Sequence, residues 1–318
     1  MTRWKVSRLL AAVVFVFALL LSNPAAAQVK IAQISDSHIG LARAPEGSDN
    51  LRKVVRMVND RNPDIVVVSG DIGERPSAWD DARKILGGLK AKVYYIPGNH
   101  DVHSTDVDRY RRAFGDDYYK IRVKNVVIYA LDSQLLGNWD KFEARTEPPV
   151  PKETQAEADK MLNWLSSDAK GAAEDRGEGR DRDKGRDKDK NKGRGDKDKG
   201  RKDNKGEGRG DAGDIVLAMQ HVPAVRAGGF PNDSKPYWVV NDPYRSRELD
   251  ALKKLGVRHI LAGHWHRGMV FDAAGFTWHV APATSWSPFG AKLGFAMHTV
   301  SPDGKVNTQF VYLDGSTE

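Results

Sequence analysis

Five short apolar runs, each followed at once by a residue that can bind a hard cation, constrain this 318-residue chain more than any other feature. Val29–Ile34 leads into Ser35-Asp36-Ser37-His38, residues 65–68 into Ser69-Gly70-Asp71, and residues 93–96 into Pro97-Gly98-Asn99-His100-Asp101. Ile215–Met219 leads into Gln220-His221-Val222-Pro223, and residues 260–262 into Gly263-His264-Trp265-His266. Runs of this length and composition read as buried strands. Between the first three lie helical patterns, Leu51-Val54-Val55-Val58 and Ala82-Ile85-Leu86-Leu89, so the order predicts βαβ units and a mainly parallel core sheet in an α/β fold. Residues 126–131 read as another strand, and Phe276–Val280 and Val306–Tyr312 as further strands that could form a second sheet. Open α/β sheets gather their sites at strand C-termini, where all five groups fall. Gly70, Gly98 and Gly263 are expected to let the backbone turn sharply beside them.

Taken singly, an Asp-x-His is usually a turn, a Gly-Asp a loop and a lone His a structural residue. Five such groups in this order, each after an apolar run, favour ligation over coincidence. Five of the nine histidines fall inside these groups; His103, His259, His279 and His298 are read as structural. The chain has no cysteine, so any metal must sit on His, Asp, Glu or Asn, a donor set suited to hydrolytic metals.

The formal charge of +7 does not describe a basic body. Residues 1–27 hold Arg3, Lys5 and Arg8 and no acid, residues 170–213 hold 16 basic against 12 acidic side chains, and together they account for the whole excess. A nucleic-acid-binding body is therefore not expected. Residues 1–27 read as a signal peptide, with basic residues, an apolar stretch at 9–21 and Ala25-Ala26-Ala27 as the cleavage site. That stretch is short of the roughly 20 residues needed to span a bilayer, so the product, cleaved after Ala27, is expected in the periplasm or outside the cell without stable membrane insertion. Residues 170–213 contain no Val, Ile, Leu, Met or aromatic residue and read as a disordered charged insert between a helix and a strand of one domain, residues 28–318. The insert could loosely contact anionic surface polymers.

With these motifs the chain resembles the calcineurin-like metallophosphoesterases, a superfamily that includes the purple acid phosphatases. The resemblance runs from about Val29 to Val311. Phe114-Gly115-Asp116-Asp117-Tyr118-Tyr119 and Leu131-Asp132-Ser133-Gln134 are similar to calcineurin-like phosphoesterase-domain proteins near the purple acid phosphatases. The resemblance implies a four-layer αββα sandwich with a dinuclear metal site at the strand C-terminal ends. It gives one metal Asp36, His38, Asp71 and His266, and the other Asp71, Asn99, His221 and His264, with Asp71 bridging. Two divalent or trivalent ions, Mn, Fe or Zn, are implied, with a bridging hydroxide as the nucleophile that hydrolyses phosphate monoesters or diesters.

His100 matches the family's non-ligating histidine, which protonates the leaving oxygen or clamps the phosphate. Glu74 matches the acid that orients that histidine; equally, it could complement the dipole of a following helix. It also stands where purple acid phosphatases carry their coloured tyrosine. An extended backbone at 264–266 would put His264 and His266 on one face and turn Trp265 away. Trp265, Arg267, Trp286 and Tyr237 are candidates for lining the pocket. The expected substrate is a small phosphorylated molecule, with no specific nucleic-acid partner; monoester and diester hydrolysis are equal readings. The alternatives are a polyanion- or surface-binding protein acting through the insert, and an extracellular nuclease or cyclic-nucleotide phosphodiesterase.

Overall fold

A computed structural model describes residues 28–102, 107–184, 213–232 and 234–318. The proposed signal peptide, His103 and most of the charged insert lie outside the described residues. In chain order the elements are β1 (Val29–Ile34), α1 (Gly47–Arg61), β2 (Ile65–Ser69), α2 (Pro76–Leu86), β3 (Lys92–Ile96), α3 (Val107–Phe114), β4 (Tyr119–Val123) and β5 (Val126–Ala130). They continue with α4 (Lys152–Lys184), β6 (Ile215–Met219), α5 (Tyr244–Leu255), β7 (His259–Ala262), β8 (Met269–Ala273), β9 (Phe276–Val280), β10 (Gly294–Val300) and β11 (Val306–Tyr312).

The strands form two sheets, β11-β10-β1-β2-β3 and β4-β5-β6-β7-β9-β8. Strands β1, β2 and β3 run parallel, as do β5, β6, β7 and β9. β10 and β11 extend the first sheet with antiparallel pairs, and β4 and β8 edge the second in the same way. Both sheets are therefore mixed, and Val306–Tyr312 edges the first sheet, whereas Phe276–Val280 belongs to the second.

Three apolar clusters show the layering. Leu51, Val54 and Val58 of α1 and Ala82 and Leu86 of α2 pack with Ile34, Val66 and Val68 on one side of the first sheet. Met161, Leu162 and Leu165 of α4 and Leu252 of α5 pack with Val127, Ala218 and Ile260 on one side of the second. Ile31, Ile65, Val67, Ile128, Leu217 and Leu261 fill the space between the sheets. Strands buried on both faces need apolar side chains at successive positions, which is why they read as continuous runs rather than alternating ones. The result is the four-layer αββα sandwich.

Helix α4 corrects one boundary. Its backbone runs to Lys184, so the first fifteen residues of the segment read as a loop are helical. Extending a formed helix adds one hydrogen bond per residue fixed and avoids the cost of nucleation, so a charged tail can follow an amphipathic start.

A polar chain crosses the otherwise apolar space between the sheets. His298 Nε2 on β10 donates to Gln33 Oε1 on β1 (2.9 Å), so its Nδ1 accepts from the Thr308 hydroxyl on β11 (2.8 Å). Thr308 in turn accepts from His279 Nδ1 (2.7 Å), whose Nε2 accepts from His259 Nδ1 (3.0 Å). Every link is satisfied with all three imidazoles neutral. Burial, reinforced by His259, holds His279 down at about 3, and burial and His279 push His298 well below its usual range. A base whose folded pKa is depressed binds fewer protons folded than unfolded, so stability is complete above the unfolded value near 6.5 and is lost as pH falls toward 3. For buried His279 this is worth several kcal/mol. In His279→Gln the pH dependence of the urea midpoint between pH 4 and 6.5 should shrink; an unchanged slope would remove these histidines from the acid response. Buried Glu248, pushed up to about 8 by desolvation, acts in the opposite sense, losing stability as pH rises from 4.5.

Candidate metal centre

The first sheet delivers Asp36, His38, Asp71 and Asn99 from the loops after β1, β2 and β3, and the second delivers His221, His264 and His266 from those after β6 and β7. The loops meet tightly. Gly70 has φ +94°, and a Cβ there would lie 2.5 Å from His221 Nδ1; a Cβ on Gly98 would lie 2.1 Å from Asp71 Oδ1. Of the three expected turn glycines only Gly70 needs a left-handed backbone. Gly98 and Gly263 are required by close approach, and a Cβ on Gly263 would meet Ser35 Oγ at 2.1 Å. Asp101, to which the sequence motif gave no role, ties two loops together by accepting from the backbone N–H groups of Ile72, Gly73 and Gly98 and from Trp79 Nε1.

Three groups of donor atoms result, each within 4.8 Å: Asp36, His38, Asp71 and His266; Asp71, His221 and His264; and, at the edge of the first, His38, Glu74 and His100, in which the Glu74 carboxylate engages the Nδ1 atoms of both histidines. All six residues of the first two groups are buried, and Asp71 belongs to both. Asn99, also buried, lies with Asp71 and His264 on the wall of the cavity above. His264 and His266 reach different groups because each has a left-handed backbone, φ 70° and 51°; the extended chain expected at this point is absent. Trp265 between them is fully buried in the core beside α5.

The hydrogen bonds fix which nitrogen each histidine offers. His221 Nδ1 donates to the Ser69 carbonyl (2.7 Å), His264 Nε2 to the Tyr237 carbonyl (2.9 Å), and His266 Nδ1 to the Trp286 carbonyl (2.7 Å). His38 Nδ1 donates to Glu74 Oε1 at 2.6 Å. Each ring thus spends one proton outward and leaves its other nitrogen facing inward, the usual support for a metal-bound imidazole. Without a cation, and against the cost of burial, Asp71 and Asp36 raise His221 to about 9, so that its inward nitrogen then carries a proton. His38 Nε2 and His266 Nε2 face each other at 3.0 Å, a contact that needs either a proton on one ring or a metal cation beside the two nitrogens. His221 Nε2 and Asn99 Oδ1 are buried without a hydrogen-bond partner. A pair of divalent ions fits this donor set on all three counts, since it would use the facing nitrogens, the two orphaned atoms and the shared Asp71 carboxylate.

The carboxylates suit cations as well. Burial opposes charge on Asp36, but His266 and His221 outweigh it and hold the group at about 2. Burial likewise opposes charge on Asp71, and His221 and His100 bring it well below its usual range.

Glu74 links the two halves of the site. Its Oε1 accepts from His38 and its Oε2 from His100 Nδ1 at 3.0 Å. Both oxygens are engaged by imidazoles and α2 starts only at Pro76, an arrangement that fits the orienting reading of the residue. Against the cost of burial, the charges of Asp71 and Glu74 raise His100 to about 9, and the ring lines the cavity. Asp117 and Asp132, in the two stretches that suggested a family branch, do structural work: Arg111 pairs with Asp117 at 2.7 Å, and Asp132 Oδ1 accepts the Gln134 N–H at 2.8 Å.

Above the donor atoms lies a cavity of about 720 Å³ whose wall includes Trp139, Phe142, Tyr237, Trp238, Trp286 and Arg43. Tyr237 and Trp286 were expected there. Trp265 belongs to the core, and Arg267 sits over Phe230 (5.3 Å) away from this wall. Trp139, Phe142, Trp238 and Arg43 had no sequence signal, because they lie in connecting segments where no periodicity marks a shared destination.

Comparison with known proteins places this geometry in a family. Residues 29–268 match the model of the calcineurin-like phosphoesterases. A transmembrane protein with a metallophosphoesterase domain from Danio rerio is 35% identical over 83 residues, 25% of this chain and 18% of that protein. A glycerophosphodiester phosphodiesterase of Enterobacter lignolyticus is 37% identical over 81 residues, 22% of this chain and 29% of that one. The matches thus span less than a third of these relatives' length. Among solved structures, a dimetal phosphatase from Danio rerio superposes with a TM-score of 0.52 at 14% identity, over 88% of this chain and 98% of that one, a likeness of fold. With its family model spanning three quarters of the sequence and its histidines turned inward around one shared aspartate, the chain belongs to the calcineurin-like phosphoesterase family.

Proposed function

We propose that the chain is an exported, dinuclear-metal phosphoesterase that hydrolyses small phosphate monoesters or diesters. The observation that carries this reading is the pair of imidazole nitrogens facing each other at 3.0 Å beside a carboxylate common to two donor groups. Asp36, His38, Asp71 and His266 would hold one ion, and Asp71, Asn99, His221 and His264 the other. When bound, such ions activate water near neutral pH and neutralise charge developing on the phosphoryl oxygens.

The remaining work belongs to the chain's own side chains. His100 presents a proton toward the cavity and gives it to the departing oxygen, while Glu74 fixes the ring from behind. The Ser69, Tyr237 and Trp286 carbonyls keep the other imidazoles from rotating. The neutral charge of the body supports a small substrate over a nucleic acid. Export is supported by the order of basic, apolar and small residues in 1–27; among the described residues no helix is long and apolar enough to cross a membrane. The charged insert could contact anionic surface polymers without taking part in the chemistry.

A turnover screen of chromogenic monoesters and diesters, with the protein loaded in turn with Mn, Fe, Zn and Co, tests the reading. Activity should vanish with chelator and return with metal; full rate in chelator would end it. Glu74→Gln should weaken metal affinity or turnover by about 10–100-fold, the usual cost of losing a residue that orients a ligand. Competition with a coloured chelator reads the affinity, and an unchanged value together with unchanged turnover would show that Glu74 positions nothing.

A further inference from the structure

The cavity over the donor atoms is far more aromatic than phosphate recognition requires. Tyr237 stands against His264, ring centroids 4.9 Å apart, and Trp286 against His266 at 5.2 Å, so one aromatic ring flanks each half of the centre. Any group attached to a phosphate held there must pass between or beside them. Both rings are held in place. Phe142 meets Tyr237 edge-on at 4.9 Å and 87°, Trp139 meets it at 6.4 Å and 72°, and Trp238 packs against it at 5.2 Å.

On the other side the Arg43 guanidinium lies 4.2 Å from the centre of the Trp286 ring, with no ion pair to a carboxylate among the described residues. Phe142 belongs to this wall and keeps 42% of its surface exposed even with Lys235 Nζ 3.9 Å from the centre of its ring. Five aromatic rings converge on about 720 Å³, space enough for a ring system beside the phosphate. A simple alkyl phosphate would leave most of that surface in water. A flat π-system would cover it, and because aromatic rings meet in specific face and edge geometries it would gain contacts that a saturated ring of the same size cannot.

We propose that this cleft selects phosphate esters bearing a flat aromatic ring, with Tyr237, Trp286 and Phe142 as the residues that recognise it. The inference rests on the phosphoesterase reading for its reaction but not for its binding. Stacking of a ring on an aromatic side chain corresponds to about tenfold in affinity.

Two matched pairs test it on the full, metal-loaded chain. Adenosine 5′-monophosphate and ribose 5-phosphate release the same kind of sugar oxygen and differ in the base, so their kcat/KM ratio reads recognition of a nucleobase. Benzylphosphonate and cyclohexylmethylphosphonate carry a P–C bond that ester hydrolysis does not break, so calorimetry on them reads a simple arene without any turnover.

A preference of about tenfold or more for the aromatic member of either pair, falling toward unity in Trp286→Ala or Phe142→Ala, is expected, and the pair that shows it names the ring type. Equal values within both pairs would overturn the inference, as would a preference that survives in both variants, or an equal nucleotide pair together with phosphonates that do not bind. If no ester turns over but the phosphonate preference stands, the phosphoesterase reading fails and the aromatic cleft remains.

Discussion

Replacing Asp71 by alanine is expected to lower turnover by about 10³-fold or more and to empty both metal positions together. Asp71 is the one residue common to the two donor groups proposed to hold ions, with its Oδ2 3.5 Å from His38 Nε2 and 3.2 Å from His221 Nε2. Every other candidate ligand serves one of them. Metal ions contribute several kcal/mol of transition-state charge stabilisation, and each 1.36 kcal/mol is a factor of ten in rate. Asp36→Ala provides the comparison, since it should deplete one position more than the other. Asp71→Asn controls for backbone shape, because φ is 51° at this position and asparagine tolerates the left-handed region better than alanine. Elemental analysis of the purified variants decides the matter. Two ions per chain in Asp71→Ala would show that the carboxylate does not bridge.

The second large effect is expected from His100→Asn, a fall in turnover of about 10²–10⁴-fold with the metal content unchanged. His100 sits next to Asn99 in sequence yet points elsewhere: its Nδ1 is spent on Glu74, and its ring packs edge-on against His38 with centroids 4.7 Å apart. In the proposed reaction a ring so placed gives up a proton without offering a lone pair to an ion. Because the backbone N–H of residue 100 reaches Asp71 Oδ1 at 2.8 Å, the substitution keeps the main-chain contact that steadies the bridging carboxylate. Loss of a metal in this variant would mean that His100 is a ligand, and full turnover with both metals would mean that another group supplies the proton.

The residues of the donor groups were legible because chemistry demands particular letters there. Asp, Asn and His must follow the strands at fixed offsets, and the strands announce themselves as apolar runs because both faces of each sheet are covered. What escaped has physical causes. Strands β4 and β8 edge the second sheet, and their burial alternates, so Tyr-Lys-Ile-Arg-Val and Met-Val-Phe-Asp-Ala carry too few apolar residues to read as runs. Strand β10 holds His298 in the middle of its length for the polar chain between the sheets, which breaks its apolar pattern.

The placing of His264 and His266 on different donor groups was anticipated, but through an extended backbone that the chain does not adopt. Period-two alternation applies inside a strand, and β7 has already ended at Ala262. Of the aromatic wall only Tyr237 and Trp286 were candidates beforehand; Trp139, Phe142 and Trp238 were missed. Trp139, Phe142, Tyr237, Trp238 and Trp286 come from three separated segments, and only folding brings them to one cavity.

One feature of the loops bears on how the protein would be handled at the bench. Asp36, His38, Asp71, His264 and His266 all have φ between 41° and 70°, a conformation that costs a non-glycine residue about 1–3 kcal/mol and persists only where the surroundings enforce it. Without cations the same loops also crowd buried carboxylates and imidazole nitrogens together. The emptied fold is therefore under tension at one end, and an ion that binds it but not the unfolded chain adds about 4 kcal/mol of stability at a thousand times its dissociation constant. The melting temperature then becomes a gauge of occupancy. A thermal-shift series across candidate ions could rank their affinities before any substrate has been found.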